Sequence, residues 1–239
     1  MFGGMRKILA TLLAVFALAA PALAAERRYS VTDFDRIVVE GPFAVRLTTG
    51  RSPGATAIGT PEALERVSVE VQGRTLRIRP NRSGWGGYPG VGAGPVSLEV
   101  SAHEIRAATV TGPGSLAIDR LSGLRLELSL EGTGRLSAAH VAADHLVLGI
   151  IGSGRIQAAG TARELRAAVH GWADLDAAGL TAQGANIVTD SAGRVAVTVA
   201  REATVTASGI GEVEILGTPA CTLRGLSAGS VRCGRSKQR

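Results

Sequence analysis

A short motif returns seven times along the second half of the chain, at almost constant spacing. The copies are GPGSLAI at Gly112, GTGRLSA at Gly132, GSGRIQA at Gly152, GWADLDA at Gly171, SAGRVAV at Ser191, GIGEVEI at Gly209 and SAGSVRC at Ser227, separated by 20, 20, 19, 20, 18 and 18 residues. A lone Gly-x-Gly carries no information, but seven in tandem are the signature of a repeat architecture. The residues around each step alternate with a period of two. Four positions after the step stand Leu116, Leu136, Ile156, Leu175, Val195, Val213 and Val231, and six after it stand Ile118, Ala138, Ala158, Ala177, Val197, Ile215 and Cys233. Two and four positions before it run further apolar columns through Leu130 and Ile150, and through Leu128 and Leu148. Alternate residues of a strand face one side, so each column is a file of inward side chains.

These columns predict two short strands per repeat, joined by the Gly-rich corner. A second corner is expected at Ala158-Ala159-Gly160 and Ala177-Ala178-Gly179. A unit of 18–20 residues cannot bury an apolar face alone. Stacked, it gains strand neighbours about 4.8 Å away and a continuous interior. The fold class is therefore all-β: a parallel β-helix or β-roll solenoid with coils of about 18–20 residues. Its 32 glycines and 3% aromatics suit thin layers of small side chains. A leucine-rich repeat has a similar period but needs an L-x-x-L-x-L and Asn pattern, which is absent.

The N-terminal part is a less regular β region. Arg36 to Gly50 reads as a diverged first coil, with Gly41 and Val45 related as Gly112 and Leu116 are. Val67 to Pro80 is two alternating runs around Gln72-Gly73, a hairpin signal. Val96 to Ser101 is another strand. Residues 83–95, SGWGGYPGVGAGP, form a Gly/Pro-rich loop carrying Trp85 and Tyr88.

Residues 1–25 have the pattern of a secretory signal peptide: basic Arg6 and Lys7, an apolar run from Ile8 to Ala20, and a small-x-small site at Ala22-Leu23-Ala24. The expectation is an exported protein, periplasmic or at the cell surface, with one solenoid domain over residues 30–234 and a basic tail at 235–239. Removing Arg6 and Lys7 from the 26 basic residues leaves 24 against 20 acidic ones, a net +4, carried almost entirely by Arg. That balance suits an acidic polysaccharide or another anionic envelope component. Export and the lack of a nucleic-acid motif argue against nucleic acid.

The tandem GSG-like steps, the opening DFDRIVVEGPFAVRLTTG and the leader together resemble the autotransporter-adhesin family with a head GIN domain, over nearly all of residues 30–234. The resemblance implies an exported, β-helical, adhesin-like envelope protein and carries no catalytic residues across. GWA at Gly171 and SAG at Ser191 and Ser227 depart from GSG.

Tests for chemistry yield no catalytic site, metal site or cofactor. His103, His140, His145 and His170 lack metal-ligand spacing, and the residues after the glycine steps are not the Asp ladder of calcium-binding β-rolls. Asp174 and Asp176 face outward together, as paired acids of polysaccharide-cleaving β-helices do. A simpler role fits Asp174: Arg155, Asp174, Arg194 and Glu212 would stack one coil apart as a column of alternating charge. Cys221 and Cys233 form a possible disulfide, permitted by an oxidising compartment and by geometry only near a corner where the walls converge. Candidate binding residues are the aromatics Trp85, Tyr88 and Trp172 and the arginines Arg135, Arg155 and Arg194; the alternative for the aromatics is packing over a coil end. The functional expectation is a non-catalytic adhesin-like binding protein for a glycan, another anionic envelope component or a protein partner. The alternatives are a polysaccharide-active β-helix enzyme and a structural protein that self-associates through its solenoid ends.

Overall fold

The computed structural model describes residues 25–81, 94–225 and 231–235. Residues 1–24 of the leader, Trp85, Tyr88 and the glycine step at Ser227 lie outside the described residues. The strands, in order, are β1 (Ala25–Tyr29), β2 (Arg36–Glu40), β3 (Ala44–Thr49) and β4 (Gly54–Gly59); a single turn of helix, α1 (Pro61–Glu65), follows. Next come β5 (Val67–Gln72), β6 (Thr75–Pro80), β7 (Ser97–Ala102) and β8 (Ala107–Thr111). The long strands are β9 (Ser115–Gly132), β10 (Arg135–Gly152), β11 (Arg155–Gly171), β12 (Asp174–Ser191) and β13 (Arg194–Ala207). Short ones close the chain: β14 (Glu212–Leu216), β15 (Ala220–Arg224) and β16 (Val231–Arg235). The result is a β-solenoid of about six turns.

Parallel stacking in register is what the period-two columns demand, and it is observed. Leu116, Leu136, Ile156, Leu175, Val195, Val213 and Val231 lie one above another, and all but Val231 are at most 2% exposed. The diverged first coil is present: β2 stacks on β8 and β3 on β9, with Val45 opposite Leu116.

One expectation needs correction. From β9 to β13 a coil is not two short strands with two breaks, although β14 and β15 do have that form. There the strand continues through the second bend, so β9, β10 and β12 are single strands of 18 residues interrupted only at the glycine step. A further column, in which Leu121, Val141 and Leu180 are buried and the half-buried Gly160 lies in register between the last two, keeps the bend pressed on the core. The second bend also absorbs the unequal coil lengths. The register slips between Ala138 and Val141 where the coil is one residue short, and between Ala177 and Thr181 farther on. The glycine corners stay aligned throughout.

Where Ser191 replaces glycine, the corner is built differently. No residue other than glycine has positive φ among the described residues. The buried Ser191 hydroxyl instead donates to the Ala173 carbonyl at 3.1 Å and accepts the Gly193 N–H at 3.0 Å, replacing backbone freedom with side-chain bonds.

The N-terminal end is closed by antiparallel strands. β4 pairs antiparallel with β7, β1 with β4, and β5 with β6 as the expected hairpin. Asp35 fastens this region. Its backbone carbonyl accepts the Arg106 N–H at 2.8 Å, and its nearly buried carboxylate takes Arg74 Nε at 3.0 Å with Arg106 Nε at 3.9 Å. Arg74 precedes β6 and Arg106 precedes β8, so one side chain ties the starts of three stacked strands together.

Candidate functional site

The outer surface is built by the residues between the buried files, since alternate positions point away from the core. Just past the glycine corner, Ser115, Arg135, Arg155 and Asp174 follow one another in register along the axis. Arg155 Nη2 donates to Asp174 Oδ2 at 2.7 Å, and the other oxygen of Asp174 accepts the backbone N–H of Arg194 at 3.0 Å. Arg135 makes no ion pair among the described residues.

The expected alternating column is therefore only half right. Arg194 meets Asp174 through its main chain, and its guanidinium reaches past Glu212 to Glu214 at 2.5 Å. Glu212 is taken by Arg232. With Asp174 already satisfied by two donors, the long Arg194 side chain finds its acceptor diagonally, within the reach of neighbouring strands. Asp176 Oδ2 accepts a hydrogen bond from Gln157 Nε2 at 3.5 Å.

The Asp174 carboxyl sits below the ordinary carboxylate range, first because the Arg194 N–H donates to it and then because Arg155 does. A group whose folded pKa is depressed stabilises the fold above its unfolded value, about 3.9, and loses that contribution as pH falls through the folded value. Urea unfolding of wild type and Asp174→Asn should thus show a small stability gap at pH 7 that closes below about pH 3.9. A gap that persists or widens in acid would contradict this assignment. The gap is small because both partners are partly exposed and screened.

Trp172 stands on the glycine corner and is 74% exposed. Its column otherwise holds Pro113, Thr133, Ser153, Ala192 and Ile210. The indole is held out by the corner itself: the Trp172 N–H donates to the Gly152 carbonyl at 2.8 Å, fixing the backbone on the coil below. Ile151, in register with His170 beside that corner, is 60% exposed. An aromatic ring thus flanks the arginine-bearing column, with Arg155 one coil and Arg135 two coils before Asp174. Trp172, Arg135 and Arg155 share one edge of the solenoid; Arg194 lies farther along it, engaged with Glu214.

The histidines do not converge. His140 Nδ1 lies 3.1 Å from the Asp119 carbonyl, and no group of three His, Cys, Asp or Glu side chains among the described residues is placed to hold a metal ion. His145 instead lines a shallow depression of about 140 Å³ with Arg125, Leu146, Val147, Glu164 and Arg166. Sequence reasoning passed over it, although a signal exists: Arg125, His145 and Glu164 all stand seven residues before their glycine step and lie in register. Cys221 on β15 and Cys233 on β16 are joined as a disulfide with Cα atoms 6.7 Å apart.

The stacked coils and their charged outer columns define a parallel β-solenoid of the repeat-built kind. The chain belongs to the family described as "Putative auto-transporter adhesin, head GIN domain", whose model matches residues 33–219. Among solved structures it is similar to a "putative adhesin" from Bacteroides fragilis NCTC 9343, with TM-score 0.75 and 16% identity over 89% of this chain and 94% of that one. It is also similar to a "putative lipid binding protein" from Parabacteroides distasonis ATCC 8503, with TM-score 0.65 and 19% identity over 90% and 97% of the two chains. A "putative adhesin" from the same organism gives TM-score 0.64 and 18% identity, over 89% and 94%. At these identities the likeness shows a shared fold. No curated protein matches the sequence.

Proposed function

We propose that the protein is an exported, non-catalytic adhesin-like binding protein of the cell envelope, and that it takes acidic glycan along the edge marked by Trp172. The carrying observation is the indole, 74% exposed beside a column that holds Arg135, which makes no ion pair among the described residues. An exposed aromatic offers a flat apolar face for a sugar ring, and a guanidinium offers a forked donor for a carboxylate or sulfate. Family membership and the adhesin descriptions of two similar structures support a binding role. The leader pattern supports export.

The enzyme alternative asks for a carboxyl that holds a proton near neutral pH. Asp174 is held ionised by its donors, and Asp176 is engaged with Gln157. That chemistry suits a fixed surface network better than general acid catalysis.

A glycan array with the mature chain, followed by titration with uronic-acid oligosaccharides, tests the proposal. Trp172→Ala is expected to weaken binding about tenfold or more, as loss of a central aromatic contact does. Arg135→Ala should weaken it and flatten its salt dependence. Equal affinity in wild type and both variants, or no acidic glycan retained on the array, would refute it.

A further inference from the structure

The two ends of the solenoid are finished in different ways. At the N-terminal end, antiparallel β1 and β4 lie over β7, and β5 lies over β6, so the stacking direction is blocked by strands of the wrong sense for another coil. At the C-terminal end no such layer exists among the described residues. β15 pairs with β13, and β16 with β14, each on one side only. The buried files lose their cover there: Val205 is fully buried, whereas Leu223, directly above it, is 40% exposed.

This last coil is short and specially held. Its strands have five residues each, against 17 or 18 in β9 to β12. Cys221 continues the file of Ala203, and Cys233 continues the file of Ile215, so the disulfide spans from one wall to the other across the mouth of the solenoid. Its edge also resists further pairing. Gly234, with φ of 87°, sits at the register slip between Ile215 and Leu216, which bulges β16. Arg224 and Arg232 stand on the two edge strands. Bulges, short strands and charge are the devices that keep edge strands from adding neighbours.

We infer that the last coil is a plug fastened by the Cys221–Cys233 disulfide, and that its release opens the solenoid end to a second copy of this chain. Beneath the plug, Ala203, Val205, Val213 and Ile215 are at most 2% exposed, and among the described residues the outer edge of β13 from Glu202 to Thr206 is covered by β15 and that of β14 by β16. What covers that surface now is a pair of parallel strands from the same chain. The occupant that fits it afterwards is a strand pair of the same kind from another molecule, continuing the coil-on-coil interface. The release step is a two-electron reduction by a dithiol: the S–S bond breaks, Cys221 and Cys233 each end as a thiol, and the dithiol is oxidised to its disulfide.

The test compares the oxidised mature chain with the same chain reduced by dithiothreitol and alkylated, so that no intermolecular disulfide contributes. Hydrogen exchange and sedimentation velocity over a concentration series are the readouts. Reduction should raise amide exchange at least tenfold in 220–224 and 231–235, leave 135–171 unchanged, and produce dimers or longer species that grow with concentration. Exchange in the last coil that is unaffected by reduction, or a reduced chain that stays monomeric throughout the series, overturns the inference. A Cys221→Ser/Cys233→Ser double variant should match the reduced chain. Because reduction acts on already folded protein, the test survives if that variant expresses poorly.

Discussion

Gly152→Ala should destabilise the protein by about 3 kcal/mol, whereas Gly73→Ala should cost only about 1 kcal/mol. Both glycines have positive φ, 122° at Gly152 and 63° at Gly73. The difference is what a methyl group meets. At Gly73, in the turn of the β5–β6 hairpin, it meets nothing within 4 Å. Only the backbone penalty for a left-handed L-residue remains, about 1–2 kcal/mol. At Gly152 the methyl would lie 2.5 Å from the Gly132 carbonyl oxygen and 3.1 Å from the Gly132 carbonyl carbon. Two neighbouring coils would have to separate locally, adding overpacking of about 1–3 kcal/mol. Urea unfolding of the two variants beside wild type measures the contrast. Similar losses at the two sites would mean that coil spacing at the corner is not fixed by backbone contact.

Ile156→Ala is the second large effect, with an expected loss of about 2–5 kcal/mol. Ile156 is fully buried midway along its file, between Leu136 and Leu175. Truncation removes contacts to the coil on each side, and the hydrogen-bonded ladders prevent those coils from closing the gap. Its neighbour Gln157 points outward, so Gln157→Ala should change stability by no more than about 0.5 kcal/mol. Thermal melts of the pair check the alternation directly: a large loss at 157 with none at 156 would invert the assignment of inside and outside.

The columns from residue 112 onward were legible because a strand has a strict period of two and each coil repeats it at nearly fixed length. The same reasoning found β2 and β3 as a first coil and the β5–β6 hairpin. It missed β1 and β4, which belong to no repeat: the antiparallel pairing of β4 with β7, and of β1 with β4, is a tertiary choice that leaves no periodic trace. It also missed α1, although Thr60 before Pro61 carries an N-cap signal, and the Thr60 hydroxyl does accept the Ala63 N–H. The second bend was read as a break because Ala and Gly cluster there. In β9 to β13 the strand instead continues through it, with Leu121, Val141 and Leu180 turned inward. On the surface, residue order placed Arg155 against Asp174, but it could not foresee that Arg194 would choose Glu214. A long flexible side chain selects among several acceptors within reach, and only coordinates resolve that choice.

Because residues are gained and lost at the second bend while the glycine corners remain aligned, the molecule has one edge open to change in length and one that is not. Insertions near Gly160 or between Ala177 and Thr181 can diversify the far side of the rod without altering the spacing of Trp172, Arg155 and Arg135. A lineage, or a protein engineer, can therefore vary one rim of this scaffold freely while the opposite rim keeps its pitch.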